Sequence, residues 1–147
     1  MEKLVLPNDV MLNEVARMLA EGREVVLVPK GRSMLPFIRG GVDKVVVVKP
    51  ETFKVGDIVL AHFGGHFVLH RIIGIEENQV TLMGDGNFFG TEVGPKEEVA
   101  GKVEAVIKPS GRQRKPGRGW LWRKLLPVRK YLLKFYRKWN RIIGKQY

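Results

Sequence analysis

Residues 24 to 107 predict a mostly-β body, a sandwich or a barrel, with a short helix before it and a basic amphipathic helix after it. Three observations lead there. Short runs rich in Val and Ile recur between turn residues. Residues 8–21 and 119–147 instead space their apolar residues at helical intervals. Charge also divides along the chain. All 15 acidic residues lie at or before Glu104, whereas Lys108 to Tyr147 holds 14 of the 26 Lys and Arg and no acid. A slightly acidic body, 12 bases against 15 acids, therefore carries a strongly basic tail.

The first element is NDVMLNEVARMLAE, residues 8–21. Val10, Leu12, Val15, Met18 and Leu19 fall near helical spacing, Asn8 or Asp9 can cap the start, and Gly22 can end it. The strand-like runs then follow: 24–29, 43–50, 57–63, 66–75, 78–84 and 101–109, with Gly64–Gly65 as a tight hairpin turn. Residues 108–118 read as a linker, with two prolines, glycines and no apolar side chain. In the tail, Leu121, Leu125, Val128, Leu132, Phe135, Trp139 and Ile142 alternate steps of four and three, and Pro127 either kinks this helix or begins its longer half. The organisation is thus an N-terminal helix (1–22), a β domain (23–107), a linker (108–118) and a helical tail (119–147).

Composition narrows the chemistry. The chain has no cysteine, which excludes disulfides and thiolate metal sites. No 18-residue uncharged apolar run occurs, so no transmembrane helix is predicted. Residues 1–20 carry Glu2, Asp9 and Glu14 and do not read as a signal peptide, which makes the cytoplasmic side the expected location. His66 and His70 share a strand face, but the histidine spacing matches no strong metal signature, and no metal or other cofactor is expected.

GRSMLPFI, residues 31–38, stands out. Gly31 permits an unusual turn, Pro36 constrains the chain beyond Ser33, and amide N–H groups around such a turn can face a developing oxyanion. Taken alone, the run also reads as a turn serine with Met34 and Phe37 tucked into the core. A serine nucleophile needs a base, and His62, His66 and His70 are the candidates. His62 and His66 flank the hairpin turn, while His70 lies within FVLHRII among apolar residues, where it either packs or accepts a proton. Asp85, in LMGDGN, sits where it could orient an imidazole or simply bond its own turn, whereas Asp57 reads as a turn aspartate.

Together, GRSMLPFI, VGDIVL, FVLHRIIGI and LMGDGN resemble the catalytic boxes of the signal peptidase I and LexA-type serine peptidases, over roughly residues 24 to 107. The resemblance implies a coiled β-sheet body. It makes Ser33 of the Ser-Met-x-Pro box the nucleophile and sets Met34 and Pro36 in the substrate cleft. His70–Arg71 occupies the position where many members have a lysine base, so the chain is more similar to the histidine-using branch, which includes endoplasmic-reticulum and archaeal signal peptidases. Gly84–Asp85 matches the Gly-Asp box, with Asn87 after it, which gives a Ser33–His70–Asp85 set. That branch also implicates a second acid downstream, where this chain offers Thr91 and Glu92; Glu92 is the alternative acid.

The implied activity is serine endopeptidase cleavage of a signal- or leader-peptide-like substrate with small side chains beside the cut. The tail, residues 119–147, is expected to bind an anionic membrane surface peripherally, replacing the N-terminal transmembrane helix usual in the family. The alternative is a LexA-like self-cleaving or nucleic-acid-associated regulator. No helix-turn-helix segment precedes Ser33, and the one Ala-Gly pair, Ala100–Gly101, lies after the boxes, so nucleic acid is not the expected partner.

Overall fold

The computed structural model describes residues 2–5, 9–87 and 90–144. Strands are β1 (Glu2–Val5), β2 (Val25–Val28), β3 (Lys44–Val48), β4 (Ile58–Phe63), β5 (His66–Glu76), β6 (Gln79–Met83), β7 (Glu92–Pro95), β8 (Val99–Ile107) and β9 (Gln113–Arg114). They form one mostly antiparallel sheet in the order β1-β2-β3-β8-β4-β5-β6-β7, with β9 on β8. The mostly-β expectation is met, and of the sandwich and the barrel the strands come nearer the second, as one curled sheet of the kind the resemblance implies. Three strands escaped the sequence reading. β1 runs parallel to β2, and a parallel pair needs a crossover, which helix α1 (Asp9–Ala20) provides. Asn8, one of the two proposed caps, lies outside the described residues.

Strand periodicity builds two apolar layers. Along β4, Ile58 and Leu60 join the cluster under α1, where Val15 and Leu19 are fully buried against Val25, Leu27, Val45 and Val47. The alternate residues Val59, Ala61 and Phe63 join a second cluster with Ile72, Val80, Leu82 and Val99. Both faces of β4 are covered, which is why its sequence is a continuous apolar run and not an alternating one. Each fully buried Val or Leu contributes about 1.5–3 kcal/mol.

The β5 strand follows the same alternation. Leu69 packs on the first cluster, Val68 on the second, and Ile72 belongs to the second. His70 therefore points to the Val68–Ile72 side and Arg71 to the other.

The segment after β8 lies against the body. β9 pairs with β8, and Arg114 Nη2 donates to Phe37 O at 2.6 Å. The tail is two helices, α2 (Trp120–Lys124) and α3 (Arg129–Ile142), with a single 3-10 turn at Leu126–Val128 that places Pro127 at their junction. On α3 the buried residues are Arg129, Leu133 and Asn140. The expected apolar stripe faces outward: Leu132, Phe135, Trp139 and Ile142 are 39–69% exposed. Among the described residues no helix is long and apolar enough to cross a membrane.

Candidate active site

Ser33 sits on a chain of tight turns closed by Leu35 N–H to Arg32 O (3.2 Å) and by Phe37 and Ile38 N–H to Met34 O (both 3.0 Å). Met34, Leu35 and Ile38 are buried, each 5% exposed or less, so their anchorage leaves the serine at the surface of the turn. The Leu35–Pro36 peptide is cis. A cavity of about 280 Å³ opens beside the turn, lined by Ser33, Met34, Ile38 and His70, with Leu12 of α1 and Phe67 of β5 closing its apolar end. Ser33 and His70 both border it, although 37 positions separate them in the chain.

Backbone contact brings the Gly84–Asn87 loop against the serine turn. Gly86 N–H donates to Ser33 O at 2.7 Å. A Cβ on Gly84 would overlap Ser33 O, one on Gly86 would overlap Arg32 O, and His70 Nε2 lies 3.1 Å from the point where the Gly84 Cβ would stand. Only glycine permits this approach, which is the physical content of the Gly-Asp-Gly run. Asp85 N–H also points at Met34 Sδ, 3.5 Å away.

His70 is 7% exposed, and its Nδ1 is hydrogen-bonded to Glu92 Oε1. Strand register explains this pairing. Leu82 pairs with both Ile72 and Glu92, so Glu92 shares the face of Ile72 and hence of His70. With Nδ1 committed to the carboxylate, Nε2 is the nitrogen that borders the serine turn.

The expected partner of the imidazole, Asp85, is elsewhere. Arg71 Nη2 donates to Asp85 Oδ2 at 2.7 Å and Arg71 Nε to Asp85 Oδ1 at 2.8 Å, with both side chains buried. Arg71 pairs with Met83, two residues before Asp85, so this acid arrives on the arginine's face of the sheet. Arg71 Nη1 donates further to Gly56 O (2.8 Å) and Gly117 O (2.9 Å). The geometry thus corrects the sequence reading: the alternative acid Glu92 holds the imidazole, and Asp85 neutralises a buried arginine.

Among the other candidates, Met34 lines the cavity. Pro36 does not. It borders a separate apolar groove with Trp122, Leu133, Phe135 and Trp139. His62 stacks on Phe67, with ring centroids 4.5 Å apart, and lies 3.9 Å from Glu98. Asp57 accepts from Lys54 N–H at 2.7 Å, the bond of a turn aspartate.

Two residues near the site were not singled out as site residues. Trp122 Nε1 donates to Asp85 O at 2.8 Å, and Arg129 Nη1 donates to Asn87 O at 3.1 Å. Burial lowers the Arg129 pKa from its usual value; the Asp85 charge opposes this and the Arg71 charge adds to it.

A curled β body that presents a turn serine and a carboxylate-held imidazole on one cavity has the parts of a serine peptidase. The Peptidase S24-like family model matches residues 4–104, over two thirds of the chain, and the chain belongs to that family. Its members include serine peptidases, LexA-like self-cleaving regulators and some proteins without catalysis. No curated protein gives a significant match.

Proposed function

We propose that the protein is a serine endopeptidase acting on a signal- or leader-peptide-like segment at an anionic membrane surface. The observation that carries this reading is the His70–Glu92 hydrogen bond, made beside a cavity that Ser33 also lines. Ser33 Oγ attacks the scissile carbonyl while His70 Nε2 takes its proton, and Glu92 steadies the imidazolium through Nδ1–H. The Ser33 N–H helps bind the oxyanion. As the C–N bond breaks, His70 returns the proton to the leaving amine. A water activated by the same imidazole then hydrolyses the acyl-enzyme.

The apolar lining from Leu12, Met34, Ile38, Leu60 and Phe67 suits an uncharged side chain beside the cut. The outward ridge of α3, with Phe135 and Trp139 beside exposed Lys134 and Lys138, suits the headgroup layer of anionic lipid. Membership of a family that includes self-cleaving regulators supports a second reading, cleavage of the protein's own chain or of a copy of itself.

The test uses a fluorophosphonate, whose phosphorus is attacked by an activated serine with loss of fluoride. Wild type should label, while Ser33→Ala and His70→Ala should not, with all three folded by circular dichroism. Labelling of Ser33→Ala at the wild-type rate refutes the assignment. Conversion of the purified wild type, but not Ser33→Ala, to shorter fragments identifies the self-cleaving reading.

A further inference from the structure

The part of the chain matched by the family ends at residue 104, yet the tail reaches into the site. The Trp122 indole bridges two segments. Its Nε1 donates to Asp85 O, and its ring meets Phe37, which follows the serine turn, edge-on at 6.0 Å. Arg129 locks the indole in place: its guanidinium carbon lies 5.2 Å from the Trp122 ring centroid, and Nη2 donates to Trp122 O at 3.0 Å. The same guanidinium reaches Asn87 O. Arg129 is 2% exposed, a burial unusual for arginine and one that fixes the fork rigidly. These donors take the carbonyls of residues 85 and 87, and the amide between them, Gly86 N–H, holds Ser33 O. Tail, loop and serine turn form one hydrogen-bonded stack.

We propose that Trp122 and Arg129 are positioning residues for the peptidase site, holding the Asp85–Asn87 backbone, and through Gly86 the Ser33 turn, in the geometry that lets Ser33 react beside His70. The tail then belongs to the active site and is more than an attachment to it. This inference rests on the peptidase reading. A misplacement of about 1 Å between a nucleophile and its base costs about a hundredfold in rate, so the effect falls on the bond-forming step at Ser33 and not on the lining that binds the ligand.

The test uses the full chain and a fluorophosphonate, separating the probe's binding constant from its maximal phosphonylation rate, with hydrogen exchange read over residues 83–87. Trp122→Phe keeps the ring contact and removes only the donor. It should lower the maximal phosphonylation rate about tenfold, leave probe binding within about twofold and speed exchange at Gly86. Arg129→Ala should do the same more severely, and Arg129→Lys, which can restore one carbonyl bond, should recover part of the rate. Wild-type phosphonylation rates in Trp122→Phe and Arg129→Ala overturn the proposal, as does a lowered melting temperature with the rate unchanged. Failure of the peptidase reading is separate: Ser33→Ala then labels like wild type, and unchanged Gly86 exchange in Trp122→Phe would independently refute the tail's hold on the loop.

Discussion

Arg71 and Asp85 form a buried ion pair, 0% and 2% exposed at their side chains, immediately beside a histidine that this acid does not touch. Adjacent residues of a strand face opposite ways, so His70 and Arg71 cannot share one carboxylate. Each has its own: Glu92 for the imidazole and Asp85 for the guanidinium.

This division of labour separates the two acids by experiment. Asp85→Asn leaves a guanidinium buried with only carbonyl partners and should cost about 3–5 kcal/mol of stability, read by urea unfolding. Glu92 is partly exposed, and Glu92→Gln should change stability by about 1 kcal/mol or less.

Activity should respond in the opposite sense. Glu92→Gln removes the charge that steadies the imidazolium and should cut fluorophosphonate labelling about a hundredfold or more. If Asp85→Asn remains folded at low temperature, it should lose less activity than Glu92→Gln. The reverse ranking would return the orienting role to Asp85.

Close backbone approach makes Gly86 intolerant of any side chain. Gly86→Ala should destabilise the protein by about 1–3 kcal/mol, because its Cβ would overlap Arg32 O, and should slow labelling as the loop lifts from Ser33. Gly74→Ala, at a glycine without a positive φ whose Cβ would make only ordinary contact with Thr81, is the stability control.

Asp43 governs part of the acid stability. Burial would raise its pKa, but hydrogen bonds from Arg39 through side chain and N–H, and from Lys108 Nζ, outweigh that and hold it below the ordinary aspartate value. The folded pKa is depressed relative to the unfolded chain. Its stabilisation is therefore fully present above the unfolded value, about 4, and is lost as pH falls through the folded one. Urea midpoints between pH 6 and pH 2 should show this loss in wild type, and Asp43→Asn should flatten that part of the curve.

The α3 ridge is tested by replacing Phe135 and Trp139, 69% and 53% exposed, with glutamate. The double variant should fail to float with anionic vesicles while labelling at the wild-type rate. Flotation equal to wild type would remove the membrane surface from the proposed function.

Much of this was readable in advance because strands and boxes are local signals. The six Val- and Ile-rich runs became β2 to β6 and β8, and Ser33 and His70 came from their own sequence contexts. Glu92 was harder to rank. Its claim on His70 depends on two successive strand registers, from Ile72 to Leu82 to Glu92, which no single window contains. The available signal was the His-Arg pair itself: two cation-capable neighbours on opposite faces call for two acids. β1, β7 and β9 were missed for a related reason. Their sequences, EKLV, EVGP and QR, hold no Val- and Ile-rich run such as the equally short β2 has, and β1 and β7 form the two ends of the sheet.

The β7 edge strand is keyed. Gly94 lies under the Phe63 ring, where a Cβ would overlap ring carbons, and it pairs with Val80 two places from the Leu82–Glu92 pair. Sliding β7 by one residue would turn the carboxylate to the wrong side of the sheet. Sliding it by two would drive Glu92 or Lys96 into Phe63 and present a glycine to His70. The notch beneath Phe63 thus indexes the acid to the imidazole, so that a contact on the far side of the strand sets the charge beside the ring.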